Sequence, residues 1–84
     1  MLDLTLLRIL KYKERYDRIV PNIPPNALNE KTSIVLADFG TYLKDTGHPV
    51  VKIGPFKTAF FTFYHPTLSA EQAAYYDKLL DNVE

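Results

Sequence analysis

The chain has 84 residues, of which 46% are hydrophobic and 13% aromatic, and its ten basic and ten acidic residues cancel. This length allows one helical domain, residues 1–84, and the apolar content suffices for a core, which excludes a disordered chain. Without cysteine, a disulfide framework and a thiolate metal site are excluded. Zero net charge disfavours dedicated nucleic-acid binding, and no apolar run reaches the length of about 18–20 residues that spans a membrane. We therefore expect a cytoplasmic protein.

The first predicted helix begins after Asp3, whose carboxylate can cap a helix that starts at Leu4, and it runs to about Arg18. Lys13 interrupts the apolar stripe of this helix, and we expect its aliphatic stem to lie along the apolar face. The stripe follows the helical period and consists of Leu2, Leu6, Ile9, Tyr16 and Val20, widened by Leu7 and Leu10.

Charge is distributed unevenly along the chain. The first helix is basic, through Arg8, Lys11, Lys13, Arg15 and Arg18. The last predicted helix is acidic, with only Lys78 opposing Glu71, Asp77, Asp81 and Glu84. Solvated helix faces account for most such patterns. The alternative is that the two ends of the domain meet, within one chain or between two.

A proline-rich loop at residues 21–26 separates the first helix from the second. The second helix begins near Asn26 or Asn29, either of which can cap it, and it ends at Gly47. Gly40 inside the helix costs about 1 kcal/mol relative to alanine and therefore indicates a close approach of another helix. The predicted stripe is Leu28, Val35, Leu36, Phe39, Tyr42 and Leu43.

Residues 54–64 are predicted to form a central aromatic helix, because four of the five phenylalanines lie there. Pro55 suits the first helical position, and His65-Pro66 ends the helix. Residues 50–53 are a short β-branched run, which we expect to form an extended lead-in. The apolar positions that fit the helical template are Phe56, Ala59, Phe60, Phe63 and Tyr64.

The last helix has the clearest local signal, because Ser69 and Gln72 form a capping box at its start. Its stripe is Ala73, Tyr76, Leu80 and Val83, broadened by Tyr75 and Leu79. The pattern is still running when the sequence ends, so we expect the chain to be a fragment of a longer protein.

No arrangement of residues indicates catalysis. His48 and His65 each precede a proline and are interpreted as helix-end residues, since neither has the partner spacing of a metal site. There is no G-x-x-x-x-G-K-[ST] loop for a nucleotide phosphate. We therefore predict no catalytic, cofactor-binding or metal-binding residue, and no enzyme activity of this chain.

Surplus aromatic residues indicate a contact surface. Phe61 lies about 100° from Phe60 on the helical period, so the central helix is either wholly buried or part of an interface. Tyr75 and Leu79 present the same choice. The predicted partner-binding residues are Phe61, Tyr64, Tyr75 and Leu79, and an electrostatic contact is predicted for Arg8, Lys11, Arg15 and Arg18.

The order of several short passages resembles the N-terminal domain of DnaB-type replicative DNA helicases. The first two passages are residues 6–20 and Pro25-Asn26-Ala27-Leu28, which leads into a helix with Phe39 and Tyr42. They are followed by KDTGHPV at 44–50, and then by Phe56 and Phe60 before the next helix. FFTFYHPTL at 60–68 and YYDKLL at 75–80 are similar to the phage-encoded branch of the family.

This resemblance implies an all-α bundle of about four helices around the central aromatic helix, seated on an ATP-driven motor domain. In the family the domain helps to organise a hexameric ring and contacts primase and the helicase loader. It also implies that ATP and Mg²⁺ are cofactors of the parent's motor only, that the parent is a homo-oligomer in the host cytoplasm, and that the subunit-pairing hairpin lies beyond Glu84.

Two other functions stay open at the sequence level. The chain could be a complete small phage protein that binds and modulates a host enzyme. It could also be a small DNA-binding helical domain that uses its first-helix arginines and lysines, with an affinity that falls steeply with salt. Net neutrality disfavours this last function, and we expect no DNA or membrane contact from the fragment alone.

Overall fold

The computed structural model describes residues 2–24 and 26–83, with side chains from Leu4 onward. These residues form five α-helices, which are α1 (Leu2–Leu10), α2 (Lys13–Ile19), α3 (Glu30–Thr46), α4 (Ile53–Ala59) and α5 (Ala70–Val83). The radius of gyration is 12.1 Å, close to the value of about 12 Å expected for a globular domain of this length. The predicted compact helical fold is therefore confirmed, with no strand in the described ranges and five helices in place of four.

The core is a column of aromatic rings that joins α3, α4 and α5. Phe39, Phe56 and Phe60 are fully buried. The ring of Phe56 lies 4.8 Å from that of Phe39 and 5.9 Å from that of Phe60 between centroids. Phe60 in turn lies 5.1 Å from Tyr76 of α5. Residues that the sequence placed at the centre of the fold, Phe56 and Phe60, are thus confirmed as its core.

The predicted central helix does not stay α-helical. It passes from α4 into a π-helical turn, Phe60–Tyr64, which closes when the His65 N–H donates to the Phe60 carbonyl at 2.8 Å. A π turn holds an additional residue, so positions after Phe60 leave the α-helical register. Phe63 is consequently 75% exposed, and its assignment to the core was wrong. Phe61, predicted off the stripe, is half-buried with its ring edge-on to Phe60 at 5.2 Å.

The predicted first helix is two helices, α1 and α2, interrupted at Tyr12. Tyr12 is extended, with φ −92° and ψ 126°. The Lys13 N–H donates to the Pro49 carbonyl at 2.9 Å, and the Val51 N–H donates to the Lys11 carbonyl at 2.7 Å. A single uninterrupted helix was therefore the wrong prediction, because this antiparallel bridge supplies other partners for the backbone. The extended lead-in predicted for residues 50–53 is confirmed for residues 50–52, whereas Ile53 is already the first residue of α4.

The buried side of α1 also differs from the predicted stripe. Leu7 and Leu10 are fully buried, whereas Leu6 and Ile9 are half-buried. The two residues assigned to the edge of the stripe are therefore at its centre, because α1 packs between α3 and α5.

Local capping signals are confirmed for α3 and α5. Asn29 accepts a hydrogen bond from the Thr32 N–H at 2.8 Å, and Gly47 ends α3 in the left-handed conformation at φ 68°. Ser69 Oγ accepts from the Gln72 N–H at 3.2 Å, and Gln72 Oε1 accepts from the Ser69 N–H at 3.3 Å. The Asp3 cap lies outside the described side chains. Pro55 is the third residue of α4, where its missing N–H still removes no helical bond.

Gly40 is the point at which α2 approaches α3, as predicted. The Tyr16 hydroxyl donates to the Leu36 carbonyl at 2.9 Å. A β-carbon at Gly40 would lie 2.3 Å from that hydroxyl oxygen and 2.8 Å from Cζ of the same ring. Only a glycine leaves room for this ring at its present distance from the helix.

Candidate interaction surfaces

The two ends of the domain meet within one chain, where α1 packs along α5. Arg8 Nε donates to the Asn82 carbonyl near the end of α5 at 2.9 Å. Cations beside the last carbonyls of a helix are stabilising, because these groups have no intrahelical partner. Arg8, predicted as a candidate for electrostatic contact with a partner, is therefore already used inside the fold.

An open groove lies beside this contact, and we call it the α1/α5 groove. Its volume is about 330 Å³, and it is lined by Leu4, Tyr75, Lys78, Leu79 and Asn82. Tyr75 is 44% exposed, with its ring edge-on to Tyr76 at 5.7 Å. Such a tyrosine suits a contact surface, because its ring is apolar while its hydroxyl can remain in water. The groove therefore brings together two of the four predicted partner-binding residues, Tyr75 and Leu79.

The other two predicted partner-binding residues, Phe61 and Tyr64, lie in the π turn. Tyr64 is half-buried, with its ring 6.3 Å from that of Phe56. Burial raises the pKa of Tyr64, and the carboxylates of Asp45 and Asp38 add to the effect. The aromatic residue that this turn exposes most is Phe63. Sequence periodicity missed it, because a helical template has no place for an additional residue in the turn.

The acidic residues of α5 bind to α4. Lys57 Nζ lies 3.0 Å from an oxygen of Asp77 and also forms an ion pair with Asp81. Hydrogen bonds to Asp81 and Asp77 raise the pKa of Lys57. These carboxylates, spaced one helical turn apart, therefore join α4 to α5, and they do not meet the basic first helix as the uneven charge had suggested.

The two histidines are at helix ends, as interpreted from the sequence. His65 Nε2 lies 2.6 Å from Asp38 Oδ2, and the centroid of its ring lies 4.6 Å from that of Phe60, with the two planes tilted by 44°. This contact holds the segment after the π turn against α3. His48 is exposed, with its ring 6.4 Å from that of Tyr42. Within residues 2–24 and 26–83, no group of three His, Cys, Asp or Glu side chains is arranged to hold a metal ion.

Of the remaining predicted basic residues, Lys11 and Arg15 lie over a single ring, that of Tyr12. Lys11 Nζ and the Arg15 guanidinium carbon lie 5.7 and 5.0 Å from the centroid of Tyr12. Arg18 is exposed, and its backbone carbonyl accepts a hydrogen bond from Asn22 at 3.1 Å. Lys13 forms an ion pair with Asp17 at 2.9 Å. The sequence did not single out Tyr12, because its position in a predicted helix gave it no special role.

Comparison of the chain with known protein families, curated proteins and solved structures found no match. None of the helices in the described part of the chain has both the length and the apolar content required to cross a bilayer.

Proposed function

We propose that this chain is a non-catalytic protein–protein interaction domain of a phage replicative DNA helicase. It contacts neighbouring subunits, primase or the helicase loader during DNA replication in the host cytoplasm, while ATP and Mg²⁺ serve the motor domain of the parent. The resemblance of the sequence to the helicase N-terminal domain supports the identity of the parent. The observation that supports the interaction role is the α1/α5 groove, which combines a half-exposed Tyr75 with the apolar side chains of Leu4 and Leu79.

A partner seated in this groove would remove the Tyr75 ring from water at the centre of the contact. Tyrosine is one of the residues that most often dominate binding energy in such positions. Charges of both signs surround the ring, since Glu30 and Lys31 lie beside it and Lys78 lines the groove. Apolar burial therefore outweighs net electrostatic attraction, and binding should survive moderate salt.

Sedimentation equilibrium, together with binding to the primase of the same genome, tests the interaction role. We expect Tyr75→Ser and Leu79→Ser each to weaken association by about tenfold or more, which corresponds to a loss of about 1.4 kcal/mol. Phe63→Ser is the matched control, because Phe63 is exposed and is not among the residues that line the groove. Association that is lost only with Phe63→Ser would place the contact on the π turn and refute the groove.

The helicase assignment has a separate test in the reading frame after the Glu84 codon. We expect a G-x-x-x-x-G-K-[ST] loop within about the next few hundred codons, because a phosphate-binding loop is required for nucleotide-driven motors. A reading frame without such a loop would refute the helicase parent. The variant series on the groove would still decide whether the chain is an interaction domain.

A further inference from the structure

Tyr12 is an exposed aromatic residue on a fixed backbone. The bridge to Val50 holds it, since the flanking Lys13 N–H and Lys11 carbonyl are both hydrogen-bonded to the 49–51 segment. The ring itself is 42% exposed. Placement of the backbone therefore does not depend on burial of the ring, and the ring is presented to solvent at the junction of α1 and α2.

Cations surround this ring. Lys11 and Arg15 lie over it, at the distances given above. Lys11 and Lys52 also line, together with Tyr12, a groove of about 440 Å³, which we call the Tyr12 groove. The rest of its lining is apolar or glycine: Val50, Val51, Ile53, Gly54 and Pro55. In the described part of the chain, no ion pair neutralises Lys11, Arg15 or Lys52.

Tyr75 provides an internal comparison for Tyr12. Both rings are exposed to nearly the same extent, 44% and 42%, and Tyr75 also has a cation over its ring, Lys31 at 5.3 Å. An acidic residue lines a cavity beside each ring, Glu14 beside Tyr12 and Glu30 beside Tyr75. The difference is in the cations, because two lie over the Tyr12 ring and one over the Tyr75 ring, with one further lysine in the groove of each. Charge complementarity therefore distinguishes the two surfaces, and the Tyr12 groove suits an anionic ligand that has flat apolar faces.

We propose that the Tyr12 groove binds single-stranded nucleic acid. A base stacks on the Tyr12 ring in place of the cations over it, and the side chains of Lys11 and Arg15 turn, with Lys52, to the backbone phosphates. Stacking platforms combined with cations along the strand are the usual basis of binding without sequence preference. Duplexes bind less well, because their bases are stacked on one another and cannot reach the ring. This role is independent of the α1/α5 groove and omits Arg8, which is hydrogen-bonded to α5.

Fluorescence anisotropy with a labelled oligothymidylate of about 12 nucleotides, within the usual range of site sizes, tests the proposal. We expect Tyr12→Leu to weaken binding by about 5- to 150-fold, the equivalent of one base–aromatic stack. The slope of log K against log salt should stay unchanged in that variant. Lys11→Gln and Lys52→Gln should each lower the magnitude of the slope by about 0.7, as expected for one lost contact with a single strand.

Tyr75→Leu and Lys31→Gln are the matched controls and should leave affinity and slope unchanged. Tyr12→Phe keeps the aromatic ring and should keep the affinity. If circular dichroism shows that Tyr12→Leu is folded, its loss of affinity is therefore due to the loss of stacking. If Tyr12→Leu unfolds, the salt slopes of Lys11→Gln and Lys52→Gln decide the question, because neither lysine is fully buried. Equal losses of affinity from Tyr12→Leu and Tyr75→Leu would overturn the proposal, as would salt slopes that Lys11→Gln and Lys52→Gln leave unchanged. A duplex that binds as tightly as the oligothymidylate, or polyglutamate that competes as well as an unlabelled single strand, would also overturn it.

Discussion

Replacing Gly40 with alanine should destabilise the domain, although alanine favours helices. In an exposed helix the exchange would stabilise by about 1 kcal/mol. Here the new β-carbon would lie 2.3 Å from the Tyr16 hydroxyl oxygen, so the ring must move. Its displacement would break the hydrogen bond to the Leu36 carbonyl, which contributes about 0.5–1.5 kcal/mol, and crowding between the helices costs a further 1–3 kcal/mol. The sum predicts a net loss of about 0.5–3.5 kcal/mol in the free energy of unfolding.

Urea unfolding followed by circular dichroism measures this change, and Gly54→Ala is the matched control. Gly54 also lies in a helix, and a β-carbon there meets no atom within 4 Å beyond its chain neighbours, of which Pro55 disfavours a side chain on the helical residue before it. This restriction offsets the gain of about 1 kcal/mol in helix propensity, so Gly54→Ala should stay within about 1 kcal/mol of neutral. Tyr16→Phe should reduce the penalty of Gly40→Ala, because it removes the nearest clashing atom. If Gly40→Ala leaves the free energy of unfolding unchanged or raises it, the close approach of α2 to α3 is refuted.

Two further predictions concern the aromatic residues. Phe60→Ala should lower the free energy of unfolding by about 3–5 kcal/mol, whereas Phe63→Ala should change it by less than about 0.5 kcal/mol. Urea titrations that show comparable losses for the two variants would contradict the π turn. Burial raises the pKa of Tyr16, Tyr64 and Tyr76 above the ordinary 10.0, so the unfolded chain loses these protons first as pH rises. The free energy of unfolding should be constant below about pH 10 and fall above it, and the fall should be less steep in Tyr16→Phe. Urea midpoints that do not change with pH would contradict this prediction.

Features with a local cause could be predicted from the sequence. Asn29 and Ser69 cap their helices through neighbours three residues away, and Gly47 adopts the left-handed conformation that favours glycine. Phe56 and Phe60 lie before the register change, so the helical template places them correctly in the core. Each of these predictions depends on a few consecutive residues.

Features with a distant cause could not be predicted. The break at Tyr12 depends on hydrogen bonds to the 49–51 segment, more than thirty residues away, while the local apolar period favours one continuous helix. The π turn has no signal in its own composition, so Phe63 was assigned to the core and Phe61 was placed off the stripe as a candidate contact residue. For the candidate surfaces the same distinction holds. Tyr75 and Leu79 were identified from the edge of a stripe, whereas Tyr12 became evident only from its exposure and the cations near it.

Zero net charge disfavoured nucleic-acid binding in the sequence, but the fold redistributes that charge. Asp77 and Asp81 are bound to Lys57, and Asp17 is bound to Lys13. Three of the ten acidic residues are therefore paired with other cations, and no acidic residue lines the Tyr12 groove. Electrostatic interactions between exposed charges extend over about 8 Å at physiological ionic strength. A phosphate near Tyr12 therefore interacts with the charges of the Tyr12 groove, and the net charge of the whole chain has little effect on it.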